Sequence, residues 1–163
     1  KTTYIGIDEI DKGQYNDVRK VGHIPNIFMI KKLIWNKIGG IDNDYVMHYE
    51  ESDLAEKVKK FGFEIFMIPK SKTWHNVPIH KEDSIRNYGV ENETRAYYTA
   101  RNRIIFMKKN ANLLLFLFFM ILFQPIFTFF YLMKILGAGN YKISKSYLGG
   151  IFSGIRFSLK RRI

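Results

Sequence analysis

Apolar residues recur along the first two thirds of the chain at spacings that predict short helices and strands. The predicted helices cover residues 31–38, 51–61 and 93–109, and the predicted strands cover residues 27–30 and 64–69. Glycine and proline separate several of these segments, as expected for elements that are joined by turns. This part of the chain is therefore predicted to hold several short elements.

Each predicted helix has one apolar face. Leu54, Val58 and Phe61 recur at helical spacing, and Gly62 follows at the position of a left-handed C-terminal cap. The first helix is predicted to end at the Gly39–Gly40 pair. The inward residues of the other two helices are Leu33, Ile34 and Ile38 in the first, and Ala96, Tyr97, Ala100, Ile104 and Met107 in the third.

Residues 113–132 form a run without a charged residue that is apolar on every side. About 20 such residues match a hydrocarbon core of roughly 30 Å, so we expect a membrane-embedded segment. Gln124 and Pro125 divide the run into two halves. Our hypothesis is a kinked helix or a re-entrant hairpin with both ends at the cytoplasmic face. A single kinked span is the rival interpretation.

Charge also favours a membrane partner. The 163 residues carry a formal net charge of +11, with 26 lysines and arginines, which indicates an anionic partner. Residues 141–163 predict a basic amphipathic helix that suits an anionic bilayer surface. Its apolar face consists of Ile143, Tyr147, Leu148, Ile151, Ile155 and Leu159. Because the basic residues cluster beside an apolar tract, anionic membrane lipid is expected as a partner and nucleic acid is not.

Two features of the whole sequence limit the interpretation further. The chain has no cysteine, which excludes disulfides and cysteine metal sites. Residues 1–15 show neither an initiator Met nor a signal-peptide pattern, so we expect the chain to begin inside a longer protein.

An acidic segment opens the second predicted helix. Glu50, Glu51 and Asp53 lie together at the helix N-terminus, where backbone N–H groups and the helix dipole favour carboxylates. A carboxylate in that place is a candidate general base, metal partner or hydroxyl-binding group. The plainer alternative is that acidic residues are common in any first helical turn.

The wider context of this segment resembles a known signature. The string GG-[apolar]-D-x-x-[aromatic]-x-x-x-x-E-E-x-D-L, over residues 39–54, is similar to the second-half motif of inverting family-2 glycosyltransferases with a GT-A fold. The match assigns Glu51 as catalytic base, with Glu50 and Asp53 beside it. Three residues depart from the family pattern: Asn43 and Val46 in the turn, and Glu51 itself, which replaces the usual Asp.

Two later passages extend the resemblance. Pro69 and His75 reproduce a P-x-x-x-x-x-H spacing in which the histidine helps to hold a divalent ion or a diphosphate. Tyr97, Tyr98, Arg101 and Asn102 resemble the family's YY-x-x-RN helix. The resemblance implies a metal-binding role for His75. It implies substrate-binding roles for Gly40, Asp42, Trp74 and Arg101.

The resemblance implies an α/β fold, namely the C-terminal half of a Rossmann-like GT-A domain followed by membrane-associated helices. Residues 1–109 would form the acceptor side of the catalytic domain, 110–140 the membrane-embedded part and 141–163 the basic tail. The implied reaction moves a sugar from a nucleotide-sugar donor to a lipid-linked or polysaccharide acceptor at the cytoplasmic face. Mg²⁺ or Mn²⁺ would assist, held mostly by a preceding half with a D-x-D segment, so this stretch is expected to be inactive alone.

An alternative from another class is a non-catalytic membrane-anchored module whose basic face recruits anionic lipid or a partner protein. It accounts for the charge and the apolar run. It leaves the order of the acidic and histidine motifs as coincidence.

Overall fold

The computed structural model describes residues 9–10, 12–74 and 88–160, and within these ranges the protein is mainly helical. Helix accounts for 59% of these residues and strand for 4%. The elements in chain order are strand β1 Arg19–Val21, helix α1 Lys32–Ile38, helix α2 Glu50–Lys60, strand β2 Ile65–Met67, helix α3 Glu93–Asn110, helix α4 Leu113–Phe118, a π-helical segment Phe119–Phe123, helix α5 Gln124–Gly137 and helix α6 Tyr141–Lys160.

The predicted α/β, Rossmann-like fold is wrong. The sheet in the described part of the chain has two strands, β1 and β2, which pair antiparallel with Arg19 opposite Met67 and Val21 opposite Ile65. The predicted strand at residues 27–30 does not form. Its apolar side chains Phe28 and Ile30 pack instead on the cluster between α1 and α2, where they are partly buried without a ladder partner.

Helices α1 and α2 form where the periodicity predicts them, and each ends at a glycine. Gly39 ends α1 with a φ of 76°. At the end of α2 the Gly62 N–H donates to Lys59 O and the Phe63 N–H to Val58 O, the two hydrogen bonds of a Schellman cap. The predicted inward position of Leu33 is wrong, since 81% of this residue is exposed. The core between these helices consists of Ile24, Ile38, Leu54, Ala55 and Val58.

Helices α3 and α6 pack so closely that their backbones touch. A Cβ atom on Gly150 would lie 2.2 Å from Tyr97 O, and one on Gly154 would lie 2.9 Å from Arg101 O. Glycine is therefore needed at both α6 positions. The core around this contact consists of Val90, Ala96, Ala100, Ile104, Phe116, Phe119, Ile135, Ile143, Tyr147 and Ile151.

The α6 helix was predicted correctly, but its apolar face has a protein neighbour. Ile143, Tyr147 and Ile151 are buried in the core shared with α3. Leu159 stays exposed, as do the aromatic rings of Tyr141 and Phe152. The helix therefore uses one face for the protein core and keeps a second, partly apolar face outside it.

The apolar run is one uninterrupted helix from Leu113 to Gly137, which is 25 residues long and apolar enough to cross a membrane by length and composition. The re-entrant hairpin is therefore wrong. At the π-helical segment the Gln124 N–H donates to Phe119 O, five residues back. Pro125 follows directly and has no N–H to donate. The helix accommodates it through this wider turn, and the chain does not reverse direction.

Candidate active site

The GGIDNDY turn that precedes α2 is held by the backbone and by lysines. Asp42 Oδ1 accepts a hydrogen bond of 2.9 Å from the Asp44 N–H. The Asp42 carboxylate pairs with Lys109 of α3, and Lys57 of α2 lies 3.9 Å away. Burial alone would raise the pKa of Asp42, but Lys109, the Asp44 N–H and Lys57 together lower it. The predicted substrate-binding Asp42 is thus an anion that is paired within the protein.

Gly40 has a conformational and steric reason to be glycine. Its φ is +63°, and a Cβ there would lie 2.8 Å from Trp35 Cε2. Its carbonyl oxygen accepts a hydrogen bond of 3.2 Å from Lys57 Nζ. The structure gives Gly40 a role in shaping the turn, and this role is independent of any substrate.

Asp53 lies inside the protein, with only 2% of the residue exposed. Its Oδ1 accepts from Asn110 Nδ2 at 2.9 Å and from the Tyr45 hydroxyl at 3.4 Å, while Lys57 Nζ lies 3.4 Å from Oδ2. Burial, followed by the carboxylates of Asp53 and Asp42, raises the pKa of Tyr45, which keeps that hydroxyl as a donor. Asp53 therefore ties α2 to α3 and to the turn, and it does not face solvent.

The residues immediately before α2 have an unusual backbone. His48 and Tyr49 have φ values of 63° and 72°, in the left-handed region that residues other than glycine rarely adopt. The buried side chain of Asn102 in α3 holds this stretch, because its Nδ2 donates to Met47 O at 2.7 Å and to His48 O at 3.1 Å. The entrance to α2 is thus strained and clamped from α3.

Arg101 completes the clamp. Its Nη1 donates to Asp44 O at 2.8 Å and to Asn102 Oδ1 at 2.7 Å. The family resemblance includes both residues and implies a substrate-binding role for Arg101. In the structure their side chains hold the backbone on both sides of Tyr45, and this accounts for the Arg-Asn pair without a phosphate.

Glu50 and Glu51 follow the strained pair and are both partly buried. The Oε2 atom of Glu50 is buried with no hydrogen-bond partner in the described part of the protein. Burial, joined by the neighbouring Glu51, raises the pKa of Glu50. The two adjacent carboxyl groups therefore lie partly withdrawn from water at the N-terminus of a helix, where proton transfer to a carboxylate is chemically feasible.

His48 adds an imidazole to this group, which the sequence reasoning missed. A Cβ on Gly89 would lie 3.6 Å from His48 Cε1, so the ring packs against the segment that leads into α3. Burial and then the nearby Arg95 lower the pKa of His48, against the opposing effect of Glu91 and Glu51. Arg95 itself pairs with Glu91, with Nε and Oε1 2.9 Å apart. Neither left-handed residue is glycine, so no pattern in the sequence signals this conformation.

The remaining predicted site residues are not brought to this group. The side chain of Trp74 is on the surface, with 87% of the residue exposed, and His75 lies outside the described residues. Within residues 9–10, 12–74 and 88–160, no three histidine or carboxylate side chains are placed to hold a metal ion. The implied Mg²⁺ or Mn²⁺, whose ligands are expected mostly in a preceding half of the protein, stays a prediction.

An open concavity of about 530 Å³ lies elsewhere, beside the two-stranded sheet. It is lined by Lys20, Val21, Gly22, Lys59, Gly62, Phe63, Glu64 and Ile65. Lys20 pairs there with Glu64, and Lys59 with Glu56. Its cations are already paired, and none of the predicted site residues lines it.

Comparisons of the chain with protein-family models, with curated proteins and with solved structures find no match. The glycosyltransferase interpretation therefore depends on the motif residues and on the local geometry described above.

Proposed function

We propose that this chain carries the acceptor-activating part of a membrane-associated enzyme that transfers a sugar with inversion, and that Glu51 is its general base. One observation carries the proposal: Glu51 lies in the first turn of α2, separated only by Glu50 from two left-handed non-glycine residues that Asn102 clamps in place. Backbone strain of this kind costs about 1–3 kcal/mol per residue and clusters at active sites.

The reaction assigned to Glu51 is a single displacement. An acceptor hydroxyl oxygen attacks the anomeric carbon of a nucleotide-activated sugar, and the bond from that carbon to the diphosphate oxygen breaks. The bonding electrons leave with the diphosphate, and the hydroxyl proton passes to the Glu51 carboxylate. Assistance of this type typically accelerates a reaction by about 10²–10⁴-fold.

The proposed location is the cytoplasmic face of a membrane, with a lipid-linked or polysaccharide acceptor. The helix Leu113–Gly137 supports membrane association through its length and composition. The cytoplasmic side follows from the nucleotide-sugar donor that the motif implies. This part of the proposal does not identify the sugar.

The test is Glu51→Gln, introduced into the gene of the cell that makes this protein. Isolated membranes are supplied with a panel of labelled nucleotide sugars, and incorporation into lipid-linked and polymeric products is measured. Incorporation is expected to fall by about 10²–10⁴-fold, because the amide cannot accept the proton. The matched control is Glu56→Gln on the same helix, whose carboxylate pairs with Lys59 at the surface and should leave incorporation unchanged.

The same experiment tests the alternative of a non-catalytic, membrane-anchored basic module. That alternative is supported by the net charge of +11 and by the apolar helix Leu113–Gly137. If the Glu51→Gln membranes incorporate sugar at the wild-type rate while the protein stays membrane-bound, the catalytic proposal is wrong and the module is preferred.

A further inference from the structure

The apolar helix Leu113–Gly137 has two unlike sides. Leu114 and Ile121, each 77% exposed, and Phe129, 68% exposed, are separated by seven and eight positions across the widened turn and so share one side. This outer side is apolar throughout. The other side holds the buried Gln124, whose Nε2 donates to Thr128 Oγ1.

The inner side packs on the core that α3 and α6 share, and the charged helix α3 runs antiparallel to it. Lys108 Nζ lies 5.3 Å from the centre of the Phe116 ring, near the start of the apolar helix. The Arg103 guanidinium lies 4.8 Å from the Phe127 ring and 4.6 Å from the Tyr131 ring. From Phe116 to the buried Ile135 the covered length is about 28 Å at 1.5 Å per residue.

A transmembrane orientation would carry α3 into the bilayer with the apolar helix. The guanidinium of Arg103 would then lie within the hydrocarbon, because its partner Phe127 is near the middle of the helix Leu113–Gly137 and Tyr131 is one turn further on. Charged groups at that depth are strongly disfavoured. The charged residues of α3 are Glu93, Arg95, Arg101, Arg103, Lys108 and Lys109. Length and composition permit a span, but the packing of α3 opposes it.

We propose that the helix Leu113–Gly137 lies parallel to the plane of an anionic membrane, with its outer apolar side in the hydrocarbon of one leaflet. Helices α3 and α6 then cover its other side and stay at the headgroup level or above it. Exposed basic residues of α6, among them Lys145 and Arg156, together with the net charge of +11, match anionic headgroups. This inference is independent of the sugar-transfer proposal, since it uses none of the residues around Glu51.

The experiment measures the depth of four positions on the outer side. The chain has no native cysteine, so single cysteines at Leu114, Ile121, Phe129 and Leu136 can each carry a fluorophore. The full chain is reconstituted into vesicles of phosphatidylglycerol and phosphatidylcholine, and quenching by lipids labelled at known depths is recorded. A label at Thr94, exposed in the first turn of α3, is the control and should not be quenched by acyl-chain quenchers.

An in-plane helix predicts one common depth for all four labels, about 5–10 Å into the boundary between headgroups and acyl chains. A spanning helix predicts that the two central labels lie near the midplane and that Leu114 and Leu136, about 33 Å apart along the axis, lie at opposite surfaces. That second result would overturn the proposal. Absence of quenching at all four positions would also overturn it, because the outer side would then be covered by protein.

A binding measurement provides a second, independent readout. Ile121→Lys and Phe129→Lys each place a charge on the outer side, and each is expected to reduce binding to the anionic vesicles at least tenfold without changing thermal unfolding. Leu33→Lys, at an equally exposed position in α1, is the matched control and should bind as the wild type does. Unchanged binding of both outer-side variants would contradict the proposal. Equal binding of the wild type to pure phosphatidylcholine vesicles would contradict its anionic part.

Discussion

Helix α3 contacts α2 with its preceding turn, and helix α6, mainly by two different physical means. Toward the turn and α2, it uses polar side chains that donate hydrogen bonds to backbone carbonyls and carboxylates: Arg101, Asn102, Lys109 and Asn110. Toward α6 the backbone contacts prevail, because Gly150 lies against Tyr97 and Ala100, and Gly154 lies against Arg101 and Ile104.

The difference shows how one helix can support both strain and rigidity. Directional hydrogen bonds from Asn102 can hold His48 and Tyr49 in a conformation that their own sterics disfavour. Close packing against α6 requires that no side chain intervene, and it fixes α3 as a stable base for those bonds. The candidate site is therefore the strained region, and the close-packed α3–α6 pair is the base that supports it.

The largest expected effect on stability is that of Asn102→Ala. Removal of the amide leaves the buried carbonyls of Met47 and His48 without their donor, which should lower the free energy of unfolding by about 2–4 kcal/mol. Denaturant unfolding of the detergent-solubilised protein measures this. Asn43→Ala, at an exposed position in the same turn, is the control and should change stability by less than about 0.5 kcal/mol. If the two variants lose similar amounts of stability, the hydrogen bonds from Asn102 do not hold the backbone before α2.

The other interface is tested by Gly150→Ala. The new methyl group would lie 2.2 Å from Tyr97 O, so the helices must separate, with a loss of about 1–3 kcal/mol. The neighbouring Gly149→Ala meets only the Tyr97 ring at 3.9 Å and should gain up to about 1 kcal/mol from helix propensity. Thermal unfolding of both variants is sufficient, and a Gly150→Ala protein as stable as the wild type would contradict the close packing.

Asp53→Asn tests whether the carboxylate of Asp53 is structural or catalytic. The substitution removes the ion pair with Lys57 but keeps an oxygen that can accept from Asn110, so a loss of about 1–2 kcal/mol is expected. Sugar transfer per folded molecule should change far less than it does in Glu51→Gln. An equal loss of transfer in the two variants would show that Asp53 shares the chemistry.

The backbone strain at His48 can be isolated by two substitutions at one position. His48→Gly and His48→Ala both remove the imidazole, but only glycine adopts a φ of 63° without a steric penalty. The glycine variant should therefore be more stable than the alanine variant by about 1 kcal/mol. An alanine variant that is the more stable of the two would mean that this conformation is relaxed in solution.

The smallest effect concerns pH. Because the pKa of Glu50 is raised in the folded protein, its ionisation opposes folding, and this penalty is absent below the ordinary value of 4.5 and develops as pH rises through the folded pKa. Glu50→Gln should therefore be more stable than the wild type at neutral pH, and the difference should vanish in acid. Unfolding measured from pH 4 to pH 8 tests the sign. A variant that is less stable at neutral pH would show that the carboxylate is stabilised by a partner.

The parts of this fold that were predicted correctly depend on local sequence. Helix α2 and its cap at Gly62 follow from the spacing of Leu54 and Val58 and from one glycine, all within a dozen residues. The strand predicted at residues 27–30 failed because strand formation depends on a distant partner. The partner of Ile65–Met67 is Arg19–Val21, which has no apolar alternation to mark it.

The candidate site was predictable only in part for the same reason. The acidic residues are visible as a motif, and the start of α2 places Glu51 in its first turn. The conformation of His48 and Tyr49, however, results from Asn102, which lies more than fifty positions away in the chain. Pairing of Asp42 with Lys109 is equally remote. The family resemblance assigned Asp42 to a substrate, whereas its partner in the structure is an internal cation.

The widened turn at Phe119–Phe123 sets the rotational phase of the long apolar helix. Each residue of a regular α-helix rotates the direction of its side chain by about 100°, so Phe116 and Ile135 would point about 100° apart if the helix were regular. Both are buried on the same side, because the turn accommodates one extra residue. Deletion of one residue there would restore a regular helix, and Phe116 and Ile135 would still point to the same side. Insertion of one residue would rotate α5 away from α3. The length of this segment can therefore shorten by a single residue more safely than it can grow.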